Sequence, residues 1–174
     1  MGSRMKRVRL GTCTVGALAA TALALSTSPA AASGTYSGRA YVYGGSVFSD
    51  DWGDEGIVSL SSHTYSNATC LWQKILYADG YLPASEIDGI FGGTTETATE
   101  NWQTHWTVTP DGAAGKDTWT MAGKGLNDSD GDGAVDQFLG LSHTITITRD
   151  SAGRYNFYDG AGNARLAGYD YRVL

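Results

Sequence analysis

The spacing of apolar and polar residues changes twice along the chain and predicts three stretches of different structure. Residues 33–65 are rich in Gly, Ser and Tyr and contain two short strand candidates, at 39–43 and 57–60. Residues 66–125 have helical spacing, whereas residues 126–174 show the alternation and turn residues typical of strands. We therefore expect an α+β protein with a β-rich N-terminal segment, a helical middle and a C-terminal antiparallel β-meander.

The first helix of the middle stretch is predicted by its apolar face and by signals at both ends. Ser66 or Asn67 can cap its start, because their side chains accept hydrogen bonds from backbone N–H groups of the first turn. The helix should run to about Asp79, since Gly80 stands where a left-handed residue ends a helix. The apolar pairs four positions apart are Leu71 with Ile75 and Trp72 with Leu76.

A loop pattern occurs twice in the same stretch. Residues 88–95 read Asp-Gly-Ile-Phe-Gly-Gly-Thr-Thr, and residues 111–118 read Asp-Gly-Ala-Ala-Gly-Lys-Asp-Thr. Asp-Gly favours a tight turn, because Gly accepts positive φ and Asp can bond nearby backbone amides. Each copy is predicted to start a helix, over about 94–105 and 116–122. Three short helices bury little surface alone, so we expect them to pack as one small bundle.

These motifs resemble those of the peptidoglycan-binding domain 1 family, a small three-helix module found beside bacterial wall hydrolases, over residues 66 to about 122. The sequence departs from the family at Gly93 and Lys116, where proline is usual, so the helix starts are less preorganised. The matching positions are Trp72-Gln73, Leu76, Gly80-Tyr81, Asp88-Gly89-Ile90-Phe91-Gly92, Thr95, Ala98, Trp102-Gln103, Val108, Asp111-Gly112, Gly115 and Thr118-Trp119.

The resemblance implies a unit that binds glycan or stem peptide of the cell wall in a shallow surface groove. Trp106, one helical turn beyond Trp102, and Tyr81 offer aromatic faces that can stack on a sugar ring. Asp88 and Gln103 can hydrogen-bond amides or hydroxyls. These four, Tyr81, Asp88, Gln103 and Trp106, are the candidate ligand contacts. The remaining aromatic residues of the motifs align with core positions of the family: Trp72, Phe91, Trp102 and Trp119.

An acidic segment at residues 128–136 is a candidate calcium loop. Carboxylates at alternate positions, followed by glycine, are how a loop wraps oxygen ligands around Ca²⁺, and the segment resembles a single thrombospondin type-3 or EF-hand-like loop. Leu139 occupies the twelfth position, where an EF-hand has a bidentate Glu. The alternative is a solvated acidic linker; no other motif requires a cofactor. The predicted ligands of a structural Ca²⁺ are Asp128, Asp130, Asp132 and Asp136.

The C-terminal stretch predicts three strands joined by turns, at residues 144–148, 155–158 and 165–173. Three strands with one apolar face are only marginally stable. We therefore expect the strands within residues 39–60 to join this sheet and bring both ends of the chain together. Tyrosines of this stretch are expected to be packing residues, with a second glycan surface as the alternative: Tyr155, Tyr158, Tyr169 and Tyr171.

The first 32 residues have the pattern of a secretory signal, so the mature protein is expected to be extracellular or associated with the wall. A cationic start precedes a short apolar run, and small residues end at Ala32. Removal of residues 1–32 leaves eight cations against eighteen acidic residues, a net charge of −10. This charge excludes a basic nucleic-acid binder. No apolar run reaches the roughly 18 residues that span a bilayer, so no membrane contact is expected of the mature form.

The sequence predicts non-catalytic binding to peptidoglycan. His63, His105 and His143 are scattered singly, with no zinc-binding pair. Cys70 lies within the first predicted helix, without a nucleophile signature, which favours a structural thiol. Two alternatives stay open: a minor wall hydrolase with its active site in the flanks, and a module that binds or inhibits a wall enzyme.

Overall fold

The computed structural model describes residues 38–45 and 47–174, and it is an α+β fold. The predicted secretory signal lies outside the described residues. The helices are α1 (Asn67–Ala78), α2 (Gly93–His105) and α3 (Lys116–Ala122), with 3₁₀ segments at Phe48–Gly53, Ala84–Glu86 and Gly123–Gly125. The strands are β1 (Leu126–Asn127), β2 (Gln137–Leu139), β3 (Thr144–Arg149), β4 (Tyr155–Tyr158) and β5 (Ala164–Leu166).

The three predicted helices are confirmed to within about one residue at each end. The Ser66 hydroxyl accepts a hydrogen bond from the Thr69 N–H (3.0 Å) and caps α1. Gly80 follows the helix with a φ of +84°, and its N–H and that of Tyr81 donate back to carbonyls of the last turn. This is a Schellman ending, which needs a left-handed residue at its turn.

A buried glutamine on α1 holds the first Asp-Gly loop. The Gln73 Nε2 group donates to Asp88 Oδ1, the Ile90 carbonyl and Thr95 Oγ1 at 3.0–3.1 Å. Its Oε1 atom accepts from the backbone N–H groups of Asp88 and Gly89. One side chain therefore fixes both the turn and the first residues of α2.

A glutamine on α2 holds the second loop in the same way. The Gln103 Nε2 group donates to Asp111 Oδ1, the Ala113 carbonyl and Thr118 Oγ1 at 2.8–2.9 Å. Its Oε1 accepts from the Gly112 N–H at 3.0 Å. Each bond contributes about 1 kcal/mol. The repeat in the sequence is thus a repeat of one hydrogen-bonded unit, in which each helix positions the next.

A series of edge-to-face aromatic contacts forms the core and joins the helices to the sheet. Trp102 packs on Trp72, which packs on Trp119, with ring centroids 5.3 and 5.4 Å apart. Trp52 continues the series to Trp119 and Tyr155, each at 5.3 Å. Each such pair contributes about 0.5–1.5 kcal/mol beyond its buried area. The core positions predicted for Trp72, Trp102 and Trp119 are confirmed, as is that of the buried Phe91.

The helical module does not build this core alone. Trp52 belongs to the 3₁₀ segment Phe48–Gly53, which packs against α3. The N-terminal segment thereby supplies part of the surface that covers the third helix. That residues 66–125 form a self-contained three-helix bundle therefore stays a prediction.

The five strands form one antiparallel sheet in the order β1-β2-β3-β4-β5. The predicted strands at 144–148 and 155–158 are confirmed, and Ile147 pairs with Phe157 on the buried face. The third predicted strand is shorter than expected. It ends at Leu166, because the Gly168 N–H donates to the Leu166 carbonyl and bends the chain away from the ladder.

The N-terminal segment joins the sheet by one of its two predicted strands. The Val42 N–H donates to the Ala167 carbonyl (2.9 Å), and the Tyr155 N–H donates to the Val42 carbonyl (3.0 Å). The prediction that the second strand, at residues 57–60, also joins this sheet is wrong. Val58 exchanges hydrogen bonds with Ala114 in the second Asp-Gly loop, because its short segment passes beside α3.

Two buried acidic side chains fasten this segment to the sheet. Asp51 accepts hydrogen bonds at 2.5 Å from the Arg149 guanidinium and the Tyr155 hydroxyl. Glu55 accepts from the Tyr43 N–H (2.7 Å) and the Tyr169 hydroxyl (2.6 Å). Among the described residues, Asp51 forms an ion pair with Arg149, whereas Glu55 forms none. Burial raises the pKa of Glu55 to about 8, and the negative charges of two nearby aspartates add to the shift.

No helix within residues 38–45 and 47–174 combines the length and the apolar character that crossing a bilayer requires.

The raised pKa of Glu55 predicts that the fold is less stable at alkaline pH. The carboxyl ionises near pH 4.5 in the unfolded chain and near pH 8 in the fold, so the folded state holds the proton longer. Its contribution to stability is complete below about pH 4.5, falls by about 1.4 kcal/mol per pH unit between about pH 4.5 and 8, and is lost above pH 8.

Glu55→Gln removes this titration, so the melting temperature of the variant should rise relative to the parent as the pH increases from 5 to 8. Thermal unfolding followed by circular dichroism at several pH values measures the difference. Parallel curves for the two proteins would contradict the prediction.

Candidate functional site

An aromatic cluster formed by Tyr81, His105 and Trp106 lies where α1 and α2 end. The ring centroids of Tyr81 and His105 are 6.0 Å apart, and those of His105 and Trp106 are 5.1 Å apart. Tyr81 and Trp106 are half-buried and His105 is exposed. The His105 ring therefore contacts the rings of both Tyr81 and Trp106, two of the predicted contact residues. Sequence reasoning assigned His105 no binding role, although it directly precedes Trp106.

A cavity of about 280 Å³ lies beside this cluster and shares Trp106 with it. One wall comes from the helices and the other from β2 and the turn after it, so two distant parts of the chain build it. Its apolar lining continues to the surface at Leu139 and Leu141, which are 49% and 58% exposed. The lining residues are Asp79, Trp102, Trp106, Met121, Ala122, Lys124, Gly125, Phe138, Leu139, Gly140 and Leu141.

The Asp79 carboxylate joins the two walls. It is 7% exposed and accepts hydrogen bonds from the Trp102 indole N–H (2.6 Å) and from the Leu141 N–H (2.8 Å). The N–H groups of the next two residues of the turn both donate to the Ala78 carbonyl at 2.9 Å. These bonds satisfy the end of α1, whose last carbonyls have no partner within the helix. The turn after β2 is thus a fixed wall of the cavity.

Trp106 presents an apolar surface to the cavity. Its indole N–H is buried and has no hydrogen-bond partner among the described residues. A buried N–H without a partner costs about 1–3 kcal/mol. Because this N–H is buried and out of a ligand's reach, a ligand in the cavity would contact the ring through its face and carbon edges, as stacking on a sugar requires.

The other two candidate contacts, Asp88 and Gln103, do not line this cavity. Gln103 is 0% exposed, and its amide is engaged by the second Asp-Gly loop. Asp88 is half-buried, and its Oδ1 accepts from Gln73 and from the Ile90 N–H (2.8 Å). Both residues hold loops in place here, and their contact with a ligand stays a prediction.

The acidic loop assembles three of its four predicted calcium ligands. Carboxylate oxygens of Asp128, Asp130 and Asp136 lie within 4.8 Å of one another, and Asp132 is not part of this group. The Gly133 N–H donates to Asp128 Oδ2 at 2.7 Å, and this bond is the main cause that lowers the pKa of Asp128. The structure fits either a cation site or a solvated turn closed by backbone N–H groups, so calcium binding stays a prediction.

A buried thiol lines a second cavity, of about 330 Å³. Burial raises the pKa of Cys70 to about 12, so the thiol is protonated at neutral pH. A nucleophilic cysteine needs the opposite shift. Within the part of the chain that the structure describes, no histidine lines this cavity, which is formed by Cys70, Lys74, Tyr77, Ala84, Ile87, Asp159, Gly160, Ala161 and Leu174. The environment of Cys70 therefore favours the structural thiol of the sequence analysis.

The comparison with protein families bears on the cluster and the cavity. Residues 66–121 match the model of a family described as "Putative peptidoglycan binding domain", which confirms the resemblance drawn from the motifs. The match covers about a third of the chain and includes Tyr81 and Trp106, but it ends before β2 and the turn that completes the cavity. No curated protein and no solved structure matches the chain significantly.

The calcium prediction is tested by thermal unfolding in CaCl₂ and in EDTA. A site that binds Ca²⁺ only in the folded state stabilises the protein, by about 2.7 kcal/mol at a concentration of 100 times Kd. We expect a higher melting temperature in CaCl₂ for the parent and no difference for Asp128→Asn. Asp170→Asn, which removes an exposed charge outside the loop, is the matched control. Equal melting temperatures of the parent in both buffers would refute the prediction.

Proposed function

We propose that this protein is secreted and attaches to the cell wall by binding peptidoglycan without cleaving it. The family match of residues 66–121 carries the proposal, together with the aromatic cluster that the matched segment places beside a cavity. The contacts would be made by Tyr81, His105 and Trp106 and by the apolar rim at Leu139 and Leu141. The site would thus combine the family module with the turn after β2.

The chemistry of this surface fits an amphipathic polymer. Aromatic faces stack on the C–H faces of pyranose rings, and an apolar cavity accepts methyl groups of acetamido or alanyl units. Peptidoglycan carries all of these groups. A rigid site keeps the entropic cost of binding low, and the Asp79 hydrogen bonds hold both walls of this cavity.

Gln103 and Asp88 have a positioning role in this proposal. Gln103 lies in the last turn of α2, so its bonds to the second Asp-Gly loop orient the segment that carries Trp106. Asp88 belongs to the loop held by Gln73 on α1, the helix that Tyr81 follows. Loss of either residue would act on binding through the geometry of the aromatic cluster.

Charge makes no attractive contribution to the proposed binding. The mature chain would carry a net charge of −10, and anionic wall polymers would repel it. Binding would therefore depend on short-range stacking and apolar contact. Salt screens charge–charge interactions and leaves these contacts largely unchanged.

Co-sedimentation with purified sacculi tests the proposal. The mature protein should pellet with sacculi, and Trp106→Ala should weaken binding about tenfold, the order expected for loss of a central aromatic contact. Tyr65→Ala is the matched control, because Tyr65 is an exposed aromatic residue outside the cluster that does not line the cavity. Protein that stays in the supernatant, or equal losses in the two variants, would refute the proposal.

Two further measurements test the mode of binding. Raising NaCl from 50 to 500 mM should change the bound fraction little, whereas a steep loss would show that charge contacts carry the affinity. A renaturing gel that contains wall material should show no clearing. A cleared zone would contradict the non-catalytic role and favour a wall hydrolase.

A further inference from the structure

Thr107 has a backbone conformation that its side chain disfavours. Like α1, helix α2 has a Schellman ending, in which the N–H groups of Thr107 and Val108 donate to carbonyls of the last turn. The corresponding position after α1 is Gly80, but here a threonine has a φ of +58°. His63 is the only other non-glycine residue with positive φ in the described part of the chain. A β-branched residue in this region is strained, and backbone strain of this kind clusters at functional sites.

The strained threonine lines a compartment of about 300 Å³ on the surface between α2 and α3, in which polar and apolar surface have similar shares. It is called the polar compartment after the five polar side chains among its seven lining residues. Three threonines, one aspartate and one lysine are among its lining residues, and the hydroxyl of one of them, Thr120, donates to the Lys116 carbonyl (2.7 Å). Hydroxyl groups both donate and accept hydrogen bonds. The lining residues are Thr107, Val108, Thr109, Asp117, Thr120, Met121 and Lys124.

The polar compartment adjoins the apolar cavity of the proposed binding site. Met121 and Lys124 line both, so the two cavities adjoin along these residues; together they are called the groove, with an apolar half and a threonine-rich polar half. Thr107 directly follows Trp106, which lines the apolar half. The strained residue therefore stands where the two halves meet.

We propose that this groove binds the glycan strand of peptidoglycan rather than its stem peptide, and that Thr107 contributes a hydroxyl contact to the sugar. The inference rests on the proposed function. The opposite charges of Asp117 and Lys124 leave the polar half close to neutral, which suits an uncharged polyol better than the carboxylates of a stem peptide. The apolar half suits acetamido methyl groups and pyranose faces, and the polar half suits sugar hydroxyls.

Binding measurements with two wall preparations distinguish this inference from the proposed function. Intact sacculi contain both polymers, whereas glycan strands stripped of stem peptides by an amidase contain the sugar alone. We expect the parent protein to bind both with affinities within about threefold. Binding to sacculi without binding to stripped strands would overturn the glycan assignment and leave the proposed function standing. Absence of binding to sacculi would overturn both.

Thr107→Gly tests the role of the side chain. Glycine relieves the strain, so the melting temperature should rise by about 3 °C, while affinity for stripped glycan strands should fall about tenfold. Thr107→Ser keeps the hydroxyl and should retain affinity within about threefold. Higher stability with unchanged affinity in Thr107→Gly would overturn the assignment of Thr107. A loss in Thr107→Ser equal to that in Thr107→Gly would overturn the hydroxyl contact.

Discussion

The buried carboxylate of Asp79 is the interaction on which the arrangement of helices and sheet around the cavity depends. It ends α1, accepts the indole N–H of Trp102 from α2, and accepts the Leu141 N–H from the turn after β2. Three elements that are distant in sequence are thereby held within one hydrogen-bonded unit. A side chain that could not accept these bonds would leave the buried Trp102 indole N–H unpaired, at a cost of about 1–3 kcal/mol. Fold stability and the shape of the cavity consequently depend on the same residue.

The fold was predictable where its signals are local. The Ser66 cap, the Gly80 ending and the two Asp-Gly loops each act within a few residues, so the three helices followed from the sequence alone. The role of Gln73 was not predictable, because a polar residue on a helix does not reveal a partner 15 to 22 positions away. Strands β1 and β2 have two and three residues and form only by pairing with each other and with β3. Such short strands have no alternation of apolar and polar residues from which the sequence could predict them.

The same distinction between local signals and contacts of distant residues applies to the candidate site. Tyr81 and Trp106 were found because a family motif and helical spacing mark them, and the structure brings their rings into one cluster. The wall formed by Phe138 and Leu141 was missed, since it depends on a contact between α1 and a turn some sixty residues later. In the proposed function, the C-terminal strands therefore do more than cover the helices: they complete the binding surface.

The environment of Cys70 has a practical consequence. It is the only cysteine after residue 32, its side chain is 1% exposed, and its thiol is protonated at neutral pH. Burial and protonation should slow its reaction with an alkylating reagent, so an increase in the labelling rate reports transient opening of the packing around Cys70. The protein thus carries its own kinetic reporter of local unfolding, without an introduced probe.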